Sequence, residues 1–161
     1  MSEKNLGIIG GGQLGSLLCV AADKLNIKTI IFCDDANAPA QNFCNEFIYG
    51  EYNDNQKIRE FVQKVDLITY EFENIPYETL NEMNKSKPVL PKPSVNRLIQ
   101  HRIAEKDFIN KLNLRTTRYV NIDKKSDMEK LKDADWVVEA VVERIDIKKI
   151  IYSKIDSLRK P

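Results

Sequence analysis

A glycine-rich turn near the start of the chain restricts what the N-terminal region can fold into. Gly10, Gly12 and Gly15 form the pattern G-x-G-x-x-G, which follows a short apolar run and precedes a segment with helical periodicity. Gly10 permits a tight turn, Gly12 lets the backbone approach an anion, and Gly15 lets helix and strand pack closely. The free N–H groups of the helix N-terminus favour a phosphate or a carboxylate. The pattern predicts a strand–turn–helix unit that binds a ligand.

Apolar runs alternate with helical segments over the first 92 residues. Strands are predicted at 6–9, 29–32, 47–49, 67–70 and 88–91, and helices at 14–22, 58–65 and 76–83. In the first helix, Leu14, Leu17, Leu18, Ala21 and Ala22 share one apolar face. Continuous apolar strands separated by helices are typical of a parallel sheet covered on both faces. We therefore expect a doubly wound α/β domain whose ligands bind at the edge where the strands end.

The remaining chain is less regular. Helices are predicted at 94–100 and 102–112, an extended segment at 115–122, and a charged helix or loop at 124–132. A strongly apolar run at 134–142 is followed by an amphipathic helix at 145–158, whose apolar face carries Ile147, Ile150, Ile151, Ile155 and Leu158.

Charge, hydropathy and cysteine content exclude several classes. The net charge of +1 gives no overall field that attracts nucleic acid or an anionic membrane. No apolar run approaches the ~20 residues that a membrane-spanning helix needs, and the glycine-interrupted N-terminus does not resemble a secretion signal. Three cysteines without C-x-x-C spacing argue against a disulfide framework or a zinc site. Free thiols in a reducing cytoplasm are expected.

The glycine turn alone leaves a dinucleotide-binding domain open. That interpretation requires an acid about 20 residues beyond the turn, at the end of the second strand, to hold a ribose. Asp34 or Asp35 fits this position. The alternative is that the glycines make only a tight structural turn.

Two acids follow the fourth strand in the segment Tyr70-Glu71-Phe72-Glu73-Asn74. If the strand continues, both carboxylates point the same way. Acids at a strand end cost desolvation unless they bind something, so we expect Glu73 to accept hydrogen bonds from a ligand. The alternative is a solvated turn with incidental acids.

Three segments together resemble one family. The motifs GIIGGGQLG at 7–15 and ITYEFENIP at 68–76, with their spacing, resemble signature segments of the 5-(carboxyamino)imidazole ribonucleotide synthases. The segment RIAEKDF at 102–108 resembles that family's segment leading into its ATP-grasp region. The resemblance extends over about residues 6–131. It implies a Rossmann-like pre-ATP-grasp domain that helps to bind aminoimidazole ribonucleotide and no dinucleotide.

The resemblance also implies roles for individual residues. Gln13 and the Leu14 backbone, with Gly12 in the turn, would contact the substrate near its phosphate or ribose. Glu73 would contact the substrate's polar groups, and Arg102 matches a position that contacts ATP. Members of the family use ATP, Mg²⁺ and bicarbonate to carboxylate the substrate amine in purine biosynthesis, and a homodimer is an assembly to test. His101, the single histidine, has no catalytic role in this interpretation.

The resemblance stops near residue 131. The family requires a longer ATP-grasp domain, with lysines, a glycine-rich flap and acidic magnesium ligands, but no glycine follows Gly50. Residues 134–149 instead resemble a V-V-E strand and the following helix of 3-hydroxyacyl-CoA dehydrogenases, where Glu143 and Lys148 match NAD-contacting positions. The expected organisation is a substrate-binding domain at 1–92, the start of an ATP-grasp region at 93–131, and a truncated or foreign strand–helix tail at 132–161.

Three functions follow from these observations. The first is a piece of the synthase that binds the nucleotide without turnover, so catalytic residues are not expected. The second is an NAD-binding module that uses the glycine turn with Asp34 and the tail. The third is a non-catalytic remnant or interaction protein with no ligand. Whatever the function, an alternative to a foreign tail is that this segment adds one strand and one helix to the first domain.

Overall fold

The computed structural model describes residues 4–122, 124, 127, 129–130 and 144–157. The chain divides into two compact units, Met1–Leu112 and Asn113–Pro161. The described strands, all in the first unit, are β1 (Asn5–Ile9), β2 (Lys28–Cys33), β3 (Glu46–Tyr49) and β4 (Leu67–Tyr70). Its helices are α1 (Gln13–Asp23), α2 (Asn55–Lys64), α3 (Tyr77–Met83), α4 (Pro93–Ile99) and α5 (Arg102–Lys111), with a 3-10 helix at Pro39–Asn42.

The four strands form one parallel sheet in the order β3-β2-β1-β4. β1 pairs with β2 on one side and with β4 on the other, and Ile9 is level with both Phe32 and Tyr70. The predicted α/β fold with a parallel sheet is confirmed. This order places the loops after β1, β2 and β4 side by side at the carboxyl edge of the sheet, where open α/β sheets bind ligands.

Side chains of β1 and β2 alternate between two separate cores. The larger core, against α2 and α3, contains Ile9, Ile30 and Phe32 together with Phe61 and Leu80. The smaller core, on the other face, combines two isoleucines with the shorter side chains of cysteine and alanine. Its members are Ile8, Cys19, Ile31, Cys33, Ala38 and Ala40. Burial on both faces explains why these strands are continuous apolar runs without polar alternation.

The helix α1 is oriented differently from what its leucines indicate. Leu14, Leu17 and Leu18 are exposed, while Gly15, Ser16, Cys19 and Ala22 are buried against the sheet. A Cβ atom placed on Gly15 would lie only 2.8 Å from the Gly10 carbonyl oxygen. The helix therefore approaches the sheet too closely for leucines on that side, and small side chains form its contact face. Of the predicted apolar face, only Ala22 is buried.

The predicted strand at 88–91 is reduced to one bridge in the structure. Val89 bridges Ile68 of β4, with backbone hydrogen bonds from Ile68 to Pro88 and from Leu90 to Ile68. Pro88 and Pro91 flank the bridge and have no N–H group to extend it. The segment closes the larger core at Val89, which is buried, without becoming a fifth strand.

In the second unit, α6 spans Ile145–Asp156, close to the predicted helix at 145–158. Ile147, Ile151 and Ile155 are half-buried along one face, whereas Ile150 is exposed. Residues 115–122 contain no strand. The predicted apolar strand at 134–142, Glu143 and Leu158 lie outside the described residues. No helix in the described parts of the chain is both long and apolar enough to cross a membrane.

Candidate functional site

The glycine turn joins β1 to α1 at the carboxyl edge of the sheet. Gly10 has a φ of +100°, a conformation that residues with a side chain rarely adopt, and its N–H donates to the Phe32 carbonyl at 2.9 Å. Gly11 accepts a hydrogen bond from the Ala40 N–H at 2.9 Å, which holds the 3-10 helix against the turn. The turn is therefore fixed to β2 and to the loop that follows it.

The Glu71 carboxylate lies inside this turn. Its Oε1 accepts a hydrogen bond from the Gly12 N–H at 2.6 Å, and its Oε2 accepts one from the Gly15 N–H. The Glu71 N–H donates to the Ile9 carbonyl at 3.1 Å, so the residue is fixed at both ends. The anion that the glycine turn binds in this structure is a side chain of the protein itself.

The N–H groups of Gln13 and Leu14 complete the first turn of α1. Helix geometry leaves the first N–H groups of any α-helix without a partner inside the helix. Glu71 takes those of Gly12 and Gly15. Gln13 and Leu14 are exposed at the same helix end, and their N–H groups, the first two of α1, are left as donors for an oxygen acceptor.

Glu71 and Glu73 do not point the same way, because β4 ends at Tyr70 and the chain turns immediately. Glu71 turns into the glycine turn and is half-buried, whereas Glu73 is exposed. The Gln100 side-chain amide donates to the carbonyls of both Glu73 and Ile75, each at 2.7 Å. The Gln100 amide thus fixes the backbone at Glu73, whose side chain remains exposed.

Arg102 lies at the start of α5, at the side of Glu73. Its guanidinium donates to the Glu105 carboxylate at 2.8 Å. That bond, and more weakly the charge of Glu73, raise the pKa of Arg102 above its ordinary value. His101 caps the same helix, with its Nδ1 accepting from the Ala104 N–H at 3.4 Å. The structure thus gives His101 a structural role and brings Arg102 within electrostatic reach of Glu73.

The residues of the dinucleotide interpretation belong to different units of the chain. Asp34 and Asp35 are exposed after β2, and the Asp35 carboxylate accepts a hydrogen bond from the Asn37 N–H at 2.8 Å. Lys148 belongs to α6 in the second unit.

The cysteines are free thiols. Burial raises the pKa of Cys19 and of Cys44, which disfavours the reactive thiolate form. Among the described residues, no group of three or more His, Cys, Asp or Glu side chains is arranged to hold a metal ion.

Two residues of this region were not identified from the sequence. The sequence pattern treats Glu71 and Glu73 alike. The role of Glu71 as the acceptor inside the glycine turn depends on where β4 ends, which the pattern does not give. Gln100 carries no motif, because its two hydrogen bonds join segments that are 25 and 27 residues apart in the chain.

Two family models match the chain. Residues 3–100 match the ribonucleotide synthetase pre-ATP-grasp domain. Residues 80–161 match the NAD-binding domain of 3-hydroxyacyl-CoA dehydrogenase. The second match begins well after the glycine turn at 10–15, so that turn belongs to the first match alone.

Relatives of known identity match most of this chain. The N5-carboxyaminoimidazole ribonucleotide synthase of Brucella melitensis is 37% identical over 118 residues, which are 73% of this chain and 33% of that enzyme. The crystal structure of the synthetase from Thermus thermophilus is 31% identical with a TM-score of 0.71, over 78% of this chain and 35% of that one.

The Aspergillus clavatus enzyme, solved with ADP and 5-aminoimidazole ribonucleotide, is 24% identical with a TM-score of 0.70 and shares the fold. It covers 81% of this chain and 36% of its own. The chain thus spans about a third of the length of these relatives. The match over residues 3–100, together with these relatives, shows that the chain belongs to the ribonucleotide synthetase pre-ATP-grasp domain family.

Proposed function

We propose that this chain provides the substrate-binding domain of an N5-carboxyaminoimidazole ribonucleotide synthase, and that it binds aminoimidazole ribonucleotide at the carboxyl edge of its sheet. The observation that carries the proposal is the geometry after β1 and β4. Glu71 holds the glycine turn, the N–H groups of Gln13 and Leu14 have no partner within the helix, and Glu73, two residues after Glu71, is exposed.

The donors and acceptors of this edge suit the sugar and amine portions of the ligand. The N–H groups of Gln13 and Leu14 donate to ribose oxygens, and Gly12, which precedes them in the turn, has no side chain to cover them. The Glu73 carboxylate accepts from the amine or from ribose hydroxyl groups. A phosphate does not suit the turn itself, because the Glu71 carboxylate already lies there and like charges repel at this distance.

Binding of ATP is proposed because related enzymes bind adenine nucleotides. Relatives have been solved with ADP or ATP. Arg102, exposed at the start of α5, contacts a phosphate of ATP, for which it must exchange its bond to Glu105. Mg²⁺ is held by acidic residues of the ATP-grasp region, and the carboxylation of aminoimidazole ribonucleotide belongs to the whole enzyme.

The wider organisation is part of the same proposal. Residues 1–92 form the substrate-binding domain, residues 93–131 begin the ATP-grasp region, and residues 132–161 form the dehydrogenase-like tail. The protein acts in the cytoplasm, where purine synthesis occurs, and assembles as a homodimer.

Replacing Glu73 with alanine tests the site. We expect Glu73→Ala to weaken aminoimidazole ribonucleotide binding by about 1–3 kcal/mol, the cost of losing hydrogen bonds to a charged group. Isothermal titration calorimetry on the full chain measures this loss. Because Glu73 is exposed, the variant should keep the wild-type melting temperature.

Glu51→Ala is the matched control for charge. Glu51 is also exposed at the carboxyl edge of the sheet, but it follows β3, so its replacement should leave affinity unchanged. Equal affinity for wild type and Glu73→Ala would remove Glu73 from the site. Equal losses in both variants would mean that net charge, and not a specific contact, governs binding.

A second function is favoured by the match of residues 80–161 to an NAD-binding domain. In that case Glu143 and Lys148 of the tail contact NAD. Lys148→Ala would then abolish NAD binding in a titration, while Glu73→Ala would leave it intact.

A further inference from the structure

The Glu71 carboxylate lies where dinucleotide-binding folds hold a pyrophosphate. In those folds, backbone N–H groups at the glycine turn and the helix N-terminus bind the phosphate oxygens. Here the N–H groups of Gly12 and Gly15 both donate to Glu71. Each carboxylate oxygen takes one donor, so this pair of donors is already occupied.

No space remains between Glu71 and the turn. A Cβ atom built on Gly10 would lie 2.5 Å from the Glu71 Cγ atom, and one built on Gly12 would lie 2.9 Å from its Oε1. A Cβ on Gly15 would lie 3.1 Å from its Oε2. The side chain therefore contacts all three glycines of the G-x-G-x-x-G pattern, and these glycines accommodate it.

The negative charge of Glu71 and its covalent attachment to the chain both favour it over a free anion at the turn. The carboxylate is favoured by the partial positive charge of the α1 N-terminus. It is attached to β4 next to β1, so it competes with any free anion as an intramolecular ligand. A phosphate that approached the turn would meet a negative charge and would find two of the donors already used.

We propose that Glu71 is a specificity-determining residue, an internal anion that closes the glycine turn to phosphate and pyrophosphate groups. The turn has the sequence pattern of a dinucleotide site, and Glu71 makes it unable to act as one. The proposal rests on the geometry of the turn alone and does not depend on binding of aminoimidazole ribonucleotide.

The test compares pyrophosphate binding by wild type, Glu71→Ala and Glu71→Gln, all in the full chain. Melting temperature is measured against sodium pyrophosphate, with sodium chloride at matched ionic strength. We expect no specific shift for wild type and a saturable rise for Glu71→Ala, with an apparent affinity at least tenfold tighter. Glu71→Gln removes the charge, and its single amide oxygen can accept from only one of the two N–H groups. It should therefore gain binding by a smaller factor than Glu71→Ala, and it provides the comparison if the alanine variant does not fold.

Amide chemical shifts show where pyrophosphate binds. In the Glu71 variants, the amides of Gly12 and Gly15 should move most on titration. Glu51→Ala removes an exposed negative charge after β3, outside the turn, and should behave as wild type does. The proposal is overturned if wild type binds pyrophosphate as tightly as the Glu71 variants, if neither variant gains binding, or if the shifted amides lie away from the turn.

Discussion

Replacing Gly10 with alanine should lower the free energy of unfolding by about 2–5 kcal/mol. Alanine at a φ of +100° costs about 1–2 kcal/mol, because its Cβ crowds the backbone. The new methyl would also lie 2.5 Å from the Glu71 Cγ atom and 2.8 Å from its Oε1, and such overpacking costs about 1–3 kcal/mol more. Urea unfolding followed by circular dichroism measures the change.

The double variant Gly10→Ala/Glu71→Ala separates the two costs. Removing the Glu71 side chain relieves the contact and leaves the backbone strain, so the alanine at position 10 should cost less in that background than in wild type. The two substitutions are in contact and are expected to be non-additive. A Gly10→Ala variant as stable as wild type would contradict the geometry of the turn.

Replacing Phe61 with alanine should cost about 3–5 kcal/mol, the usual range for a buried aromatic side chain. Phe61 is fully buried, and its ring lies 5.5 Å from that of Phe32. Its Cζ would lie 2.6 Å from a Cβ on Gly7, so the ring packs directly on the β1 backbone. The surrounding structure relaxes only partly around the cavity that such a loss leaves. Urea unfolding gives the value.

Leu17→Ala is the matched control for the loss of Phe61. Leu17 is 59% exposed on α1, so its loss should change the free energy of unfolding by no more than about 0.5 kcal/mol. A large loss in Leu17→Ala with a small loss in Phe61→Ala would mean that α1 packs through its leucines, as its apolar periodicity alone indicates.

The strands could be predicted because the sheet is buried on both faces. Each of the four strands is a continuous apolar run, and the observed bounds differ from those predicted by at most one residue at either end. The glycine pattern also located the first turn correctly, since a φ of +100° at Gly10 and the close approach at Gly15 are what those glycines permit.

The buried face of α1 could not be predicted from apolar periodicity. Leucine is more apolar than glycine, serine or cysteine, so the pattern favours Leu14, Leu17 and Leu18 as the packed face. The distance between α1 and the sheet decides otherwise, and that distance is a property of the assembled fold. Only Gly15 of the G-x-G-x-x-G pattern indicates this short distance between α1 and the sheet.

The different directions of the Glu71 and Glu73 side chains also could not be predicted from the local sequence pattern. Both follow β4, and alternation along a strand would put them on one face. β4 ends at Tyr70, and the Glu71 side chain turns toward the amides of Gly12 and Gly15, which lie 59 and 56 residues earlier in the chain. Such long-range hydrogen bonds leave no periodic trace in the sequence.

We expect the carboxyl edge of the sheet to bind aminoimidazole ribonucleotide and no dinucleotide. The most direct measurement is a thermal-shift titration of the full chain with aminoimidazole ribonucleotide, Mg-ATP and NAD in parallel. A ligand at about 100 times its dissociation constant adds ~2.7 kcal/mol to the free energy of unfolding. We predict a saturable rise in melting temperature with aminoimidazole ribonucleotide and none with NAD. A rise with NAD and none with aminoimidazole ribonucleotide would mean that the protein binds a dinucleotide and that the substrate site is assigned wrongly.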